Sequence, residues 1–213
     1  HLYARRQRQM CIRDRDIISS IPEFCVIDDN KIILQQKITK SETDKLSDNI
    51  IQSYIEIDKR LNLTKNLKKI STTIGPGSYT SLRVGSAFIS GLMISRNIPY
   101  YPLTIADILN FNAIKHSKKN LGVFITSSNN QKFFCYKIKD NNMKYYKIEN
   151  NKYSIPKNID LILFNKSKIN ENNELEQMKF SFFEEFYNNY NNFTFKKNII
   201  IEPIYISNNQ LLN

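Results

Sequence analysis

This sequence predicts a mixed α/β protein, and three patterns carry that prediction. Two β-rich runs flank the turn triplet Asp28-Asp29-Asn30 within FCVIDDNKIILQQKI. Apolar residues then recur every three or four positions between Ser41 and Leu63, the spacing of a helix with one greasy face. From Leu121 onward short apolar runs separated by Asn, Asp and Ser dominate, as in a strand-rich half.

Taken in order, Phe24–Ile38 reads as a hairpin, because Asp and Asn tolerate the left-handed backbone of a tight turn. In the helix of Ser41–Leu63, Leu46, Ile50, Tyr54 and Ile57 form the apolar stripe, and Ser41 with Asp44 resembles a capping box. Ile70–Ile74 is a short strand that ends abruptly at Gly75-Pro76-Gly77, and Ser78 or Thr80 can cap the helix of about Ser81–Ser95. Gly85 and Gly91 interrupt that helix at a cost of roughly 1 kcal/mol each, which implies close approach of another backbone. Pro99–Leu103 is extended, and Thr104 caps a helix to about Ile114. Strands follow at Leu121–Thr126, Lys132–Lys139, Lys144–Ile148 and Asp160–Phe164, then a helical pattern at Glu171–Tyr190 and a closing strand at Ile199–Ile206. No internal repeat is visible. The shift near Leu121 divides residues 16–118 from a smaller C-terminal lobe, residues 119–213.

Composition narrows the function. The chain has 213 residues, 31 Lys and Arg against 20 Asp and Glu, and a net charge of +11. Residues 1–15 hold five of the eight arginines. QRQMCIRD within them resembles translated sequencing-adapter read-through, so residues 1–15 are read as a non-native leader and left out of the fold. The remainder carries +7, with its lysines spread along the chain, which suits a solvated surface better than a dedicated nucleic-acid face. No apolar run nears the roughly 18 residues of a membrane span, so a soluble chain is expected. Cys11, Cys25 and Cys135 are too few and too scattered for a disulfide framework. Only His1 and His116 are present, which argues strongly against a zinc hydrolase.

The informative stretch is Gly75, Pro76, Gly77, Ser78, Tyr79 and Thr80, with Arg83 one turn into the helix. A glycine loop between strand and helix can offer backbone N–H groups to an anion, or can simply seat the helix on the sheet. It lacks the lysine of a phosphate-binding P-loop, and no histidine is near to activate Ser78. Arg83 could meet a phosphate, a partner carboxylate or a local acid. His116 reads as a helix-end cation, Asp28 and Asp29 as turn formers, and Cys25 and Cys135 as core thiols. The aromatic run Phe180, Phe182, Phe183, Phe186, Tyr187 and Tyr190 reads as core, with a base-stacking platform as the sharper alternative.

GPGSYTSLRVGSAFISGLMISRNIPYYPLTIADIL closely resembles the TsaB family signature Gly-Pro-Gly-Ser-Phe/Tyr-Thr-Gly-Leu-Arg-Ile/Val-Gly, and the likeness extends over about residues 17–207. It implies a two-lobed actin/sugar-kinase/Hsp70-like fold on RNase H-like sheets. It also implies a non-catalytic subunit that pairs with the paralogous enzyme TsaD to make N6-threonylcarbamoyladenosine on tRNA. No cofactor, metal or catalytic residue is expected, nor any membrane. The implied partner is TsaD. A TsaE-like ATPase in a larger complex, a homodimer in the absence of TsaD, and indirect or weak contact with tRNA are further expectations. The implied interface is a helix pair bearing Leu46, Ile50, Tyr54, Ile57, Gly85, Ala87, Phe88, Gly91 and Leu92. The competing functions are a Gcp-like enzyme, of glycoprotease or ATP-binding transferase type, and a tRNA-binding module. Three positions depart from the family. The first strand should end in Asp-Thr/Ser-Ser/Thr; by register Ile18 takes that aspartate's place, or Asp16 is its frame-shifted remnant. Ser81 stands where glycine is usual, and Ser127–Gln131 replaces an Asp-Ala-Arg-x-Gly-Glu turn.

Overall fold

The computed structural model describes residues 10–137, 142–149, 155–168 and 175–206. It is a mixed α/β structure built on two five-stranded sheets. The first has the order β3-β2-β1-β4-β5, with β1 Met10–Asp16, β2 Glu23–Asp28, β3 Lys31–Lys37, β4 Leu67–Thr73 and β5 Tyr100–Leu103. β1, β2 and β3 run antiparallel in succession, whereas β4 lies parallel to β1 and β5 parallel to β4. The second sheet repeats the scheme in the order β10-β9-β6-β7-β8, with β6 Leu121–Thr126, β7 Lys132–Lys137, β8 Met143–Ile148, β9 Leu161–Phe164 and β10 Glu176–Lys179. Here too the first three strands are antiparallel, and β9 and β10 continue parallel to β6.

Local chemistry explains the elements that match expectation. Asp29 and Asn30 both take positive φ, which turns β2 tightly into β3. Helix α3, Tyr79–Arg96, follows β4 through the glycine loop, and α4, Ile105–His116, opens on a capping box between Thr104 and Asp107. Cys25, Cys135 and the phenylalanines at 180, 182, 183 and 186 are buried, as their apolar surroundings suggest.

Four expectations need correction. Residues 1–15 do not all stand outside the fold: Met10–Asp16 form the central strand of the first sheet, since ladder hydrogen bonds join backbones whatever the side chains. The first helix, α1, spans Leu46–Leu61 rather than starting near Ser41. The Asp44 carboxylate accepts the Lys40 and Ser41 N–H groups and the Ser41 hydroxyl, which holds those residues in a separate turn. A single short turn of helix, α2 at Leu63–Asn66, links α1 to β4. The helical pattern at Glu171–Tyr190 divides into β10 and α5, Phe182–Asn189, where the Ser181 hydroxyl accepts the Glu184 N–H and starts the helix afresh; Glu171–Glu174 lie outside the described residues. The strand expected at Ile199–Ile206 is not formed. Pro203 has no N–H for a ladder, and the segment is tied to β4 through the Ile204 N–H on the Ile74 carbonyl (2.7 Å). Residues 138–141, including the last two of the strand expected at Lys132–Lys139, are also outside the described residues.

The lobes interlock through their helices. Helix α4 packs on β6 and β7 of the second sheet, α5 packs on β1 of the first, and the two helices touch. Glu185 of α5 is buried between them, where desolvation raises its carboxyl while Asn112 and Lys115 of α4 pull it back. One apolar cluster, including Ile17, Ile70, Tyr100, Ile125 and Phe186, runs across both sheets.

Candidate functional site

Two regions gather the residues singled out by the sequence: the junction between the lobes, and the outer face of α1 and α3. At the junction, β1 ends in Asp16, which is 5% exposed. Its Oδ1 accepts the Ile18 and Ser19 N–H groups at 3.0 Å each. Burial pushes its carboxyl up to about 6, against the opposing pull of Ser19 and the Ile18 N–H and with a small push from Glu23. Asp16, rather than Ile18, therefore stands at the strand end where the signature places its aspartate. The Ile17 N–H donates to Thr73 Oγ1 (3.1 Å), which fixes β1 beside β4.

The lobes are then stitched directly. Ser19 pairs with Ser127 in an isolated antiparallel bridge, and Ser81 Oγ lies 3.2 Å from Ser128 Oγ. Asn165, just beyond β9, donates to Ser19 Oγ (3.3 Å) and to the Thr126 carbonyl (3.0 Å), and accepts the Thr126 N–H (2.8 Å). Ser81 and the 127–131 turn thus act together, as a polar seam between sheets. Ser19 and Asn165 escaped the sequence reading, because nothing in their local context marks a contact spanning 146 residues.

The glycine loop is packed rather than open. Gly75 has φ +119, and a Cβ there would lie 2.6 Å from the Ile204 carbonyl oxygen; one on Gly77 would meet Ile18 at 3.2 Å. Gly75, Pro76 and Ser78 are buried, and Ser78 makes no side-chain cap bond to α3. This geometry fits the seating role. Arg83 is exposed and stacks over the Tyr79 ring at 5.3 Å, and Tyr79 in turn contacts Tyr205 at 4.9 Å between centroids. Among the described residues, no group of three or more His, Cys, Asp or Glu could hold a metal ion.

On the helix pair the structure redraws the expected interface. Leu46, Ile50, Tyr54 and Ile57 point into the chain's own core, where Tyr54 meets Phe88 edge-on at 5.4 Å. Gly85 is buried against Ile17, so its missing side chain admits a residue of this chain, not a partner backbone. Ala87 and Gly91 are exposed, and Val84, Phe88 and Leu92 are half-buried. Nothing lies within 4 Å of where a Gly91 Cβ would sit. The outward apolar residues that sequence reading missed are Ile51 (58% exposed), Ile55 and Ile94. A groove of about 460 Å³ runs along α3 beside Tyr79, Thr80, Arg83, Val84 and Ala87. No helix among the described residues is long and apolar enough to cross a membrane.

The family model described as "TsaD: tRNA N6-adenosine threonylcarbamoyltransferase" matches residues 33–204. The crystal structure of an uncharacterized protein with similarity to peptidase YeaZ, from Pseudomonas aeruginosa, superposes with a TM-score of 0.59 at 9% identity, over 94% of this chain and 100% of that one. YeaZ from Pseudomonas aeruginosa superposes with a TM-score of 0.50 at 10% identity, over 73% of this chain and 75% of that one. No curated protein sequence matches the chain. The two structural likenesses carry the fold, an actin-like two-lobed architecture on paired mixed sheets.

Proposed function

Because the chain belongs to the TsaD family of tRNA N6-adenosine threonylcarbamoyltransferases, we propose that it serves that tRNA modification as a TsaB-type accessory subunit. In this reading it makes no bonds itself and pairs with a catalytic TsaD paralogue in the cytoplasm. The observation that supports the pairing is the outer face of α1 and α3. Ile51, Ile55, Ala87 and Gly91 are exposed there, on rigid helices held together from beneath by Tyr54, Phe88 and Ile89. Large apolar side chains turned to water on α1, beside small residues on α3, suit a helical bundle completed by a second chain. Without the paralogue, the same face closes on a second copy. A TsaE-like ATPase then joins an already paired complex, and tRNA is met mainly through the catalytic partner. The word peptidase in a neighbour's description belongs to that neighbour.

The test is sedimentation of the purified chain with its cognate TsaD. A one-to-one complex at micromolar concentration is expected. Ile51→Lys with Ile55→Lys should weaken it about tenfold or more, because apolar anchors carry most of an interface's energy. Both positions face solvent, so folding stability should move by only about 0.5 kcal/mol. No association, or association indifferent to the two lysines, would remove the proposal.

A further inference from the structure

At the opposite end of the first lobe the strands β4 and β5 begin and α3 ends. Three segments distant in sequence meet there. Arg96 Nη2 at the end of α3 donates to the Lys65 carbonyl of α2 (3.0 Å). Lys68 and Lys69 follow at the start of β4, and Lys69 Nζ sits 5.0 Å over the Phe195 ring. Lys196 exchanges both backbone hydrogen bonds with Tyr100 of β5, and Lys197 is next to it. Residues 63–69, 93–101 and 193–199 therefore bring together Lys65, Lys68, Lys69, Arg96, Lys196 and Lys197, and contain no Asp or Glu. All six are exposed except the half-buried Lys69.

Elsewhere four described lysines pair with carboxylates: Lys115 with Glu185, Lys118 with Glu176, Lys147 with Glu149, and Lys166 with Glu42. Among the described residues, none of these ion pairs involves the six cations at this end. The nearest acids along the chain are Glu202, five residues past Lys197 and in none of these ion pairs, and Asp58, which already accepts the Thr64 N–H. Uncompensated like charges held this close raise a positive potential that the fold itself does not need.

Between the cations runs a groove of about 280 Å³. It is lined by Met93, Ile94, Ile98 and Ile199, with the amides of Asn97 and Asn198 beside Arg96 and Lys197. Ile94 of this lining is more than 80% exposed. The two asparagines hold the left-handed backbone that ends α3 and turns the C-terminal segment, so both walls of the groove are set by rigid turns.

We propose that this end is an RNA-binding surface, with phosphates on the six cations and one unstacked base in the groove between Asn97 and Asn198. Phosphate attraction supplies sequence-independent affinity, whereas amides and an apolar wall suit a base edge and a base face. A bilayer would meet the same cations but has no use for the two asparagine amides that line the groove. The surface stands on its own residues. Only the identity of the RNA as the tRNA being modified rests on the proposed function.

The experiment titrates a dye-labelled, unmodified tRNA transcript with the full chain and reads fluorescence anisotropy over a series of salt concentrations. One variant joins Lys65→Glu, Lys68→Glu, Lys196→Glu and Lys197→Glu. A charge-matched control joins Lys31→Glu, Lys37→Glu, Lys40→Glu and Lys45→Glu, all exposed and remote in sequence from the three segments. Circular dichroism verifies that both fold. Wild-type affinity should fall as salt rises, by about 0.7–0.9 in logarithmic slope per phosphate contact. The patch variant should bind about tenfold more weakly, with a flatter slope, while the control keeps most of its affinity. No binding at low salt, or equal losses in variant and control, would overturn the proposal. So would binding to vesicles containing phosphatidylglycerol through these lysines without binding to the transcript. If RNA binding persists while association with TsaD fails, the accessory-subunit reading falls and this one stands; the reverse result removes only this one.

Discussion

Gly85 and Gly91 lie on one helix, yet the structure assigns them opposite consequences. Replacing either by alanine relieves the backbone freedom that glycine must lose, a gain of roughly 0.5–1 kcal/mol in a helix interior. At Gly91 that gain is uncontested, because a Cβ would meet nothing within 4 Å. At Gly85 the Cβ would sit 2.6 Å from Ile17 Cδ1, 2.9 Å from Cγ2 and 3.2 Å from Cβ. Ile17 is fully buried, so the distal methyl has little room to swing away and the branch point has less. Overpacking of this sort costs about 1–3 kcal/mol. Since the helix-propensity gain is common to both positions, Gly85→Ala should fall about 1–3 kcal/mol below Gly91→Ala. With a urea m-value of about 2 kcal/mol/M, their unfolding midpoints should differ by about 0.5–1.5 M. Adding Ile17→Val to Gly85→Ala removes the methyl at 2.6 Å and should recover part of the gap, although Cγ2 remains. Midpoints agreeing within about 0.2 M would refute the packing argument and return Gly85 to the residues awaiting a partner.

Two further outcomes follow from the junction between the lobes. Asp16 is raised from 3.8 to about 6 in the folded chain, so the folded state holds its proton more tightly than the unfolded state. Its contribution is fully present below about pH 4 and is lost as pH rises through 6, a change on the order of 3 kcal/mol. Urea midpoints measured from pH 4.5 to 7 should show this decline in the wild type and a shallower one in Asp16→Asn; parallel profiles would sink the assignment. Asn165→Ala removes three hydrogen bonds, one of them to Ser19, and leaves the Thr126 N–H without its acceptor. It should cost about 1–3 kcal/mol and lower the thermal midpoint, and an unchanged midpoint would show that the seam is not a stabilising contact.

How legible the molecule was depends on the range of each interaction. The Asp28–Asn30 hairpin and the Thr104–Asp107 cap are made by residues within a few positions of one another, so spacing alone discloses them. Helical periodicity was equally clear in α1, yet it marks only which side is covered, not what covers it. Leu46, Ile50, Tyr54 and Ile57 keep the strict spacing because they fill the chain's own core. Ile51 and Ile55, which face outward, sit between them and break no pattern. β1 eluded composition because its place between β2 and β4 is secured by backbone groups. Ser19, Ser81, Ser128 and Asn165 come together only after both sheets have formed, and short polar side chains announce nothing about such distant partners.

The shared strand order of the two sheets has a practical result for crowded solutions. In each lobe the third strand of the opening meander, β3 in one and β8 in the other, ends the sheet and presents a ladder side that no other strand among the described residues covers. Such margins invite copies to zip together. β3 carries Lys31 and Lys37 at its two ends, around Ile32 and Ile33, which are each more than 40% exposed. β8 carries Lys144 and Lys147 on either side of its tyrosines. Charged side chains on a sheet margin disfavour its extension by another copy, and both lobes place lysines there, although Lys147 is partly neutralised by Glu149.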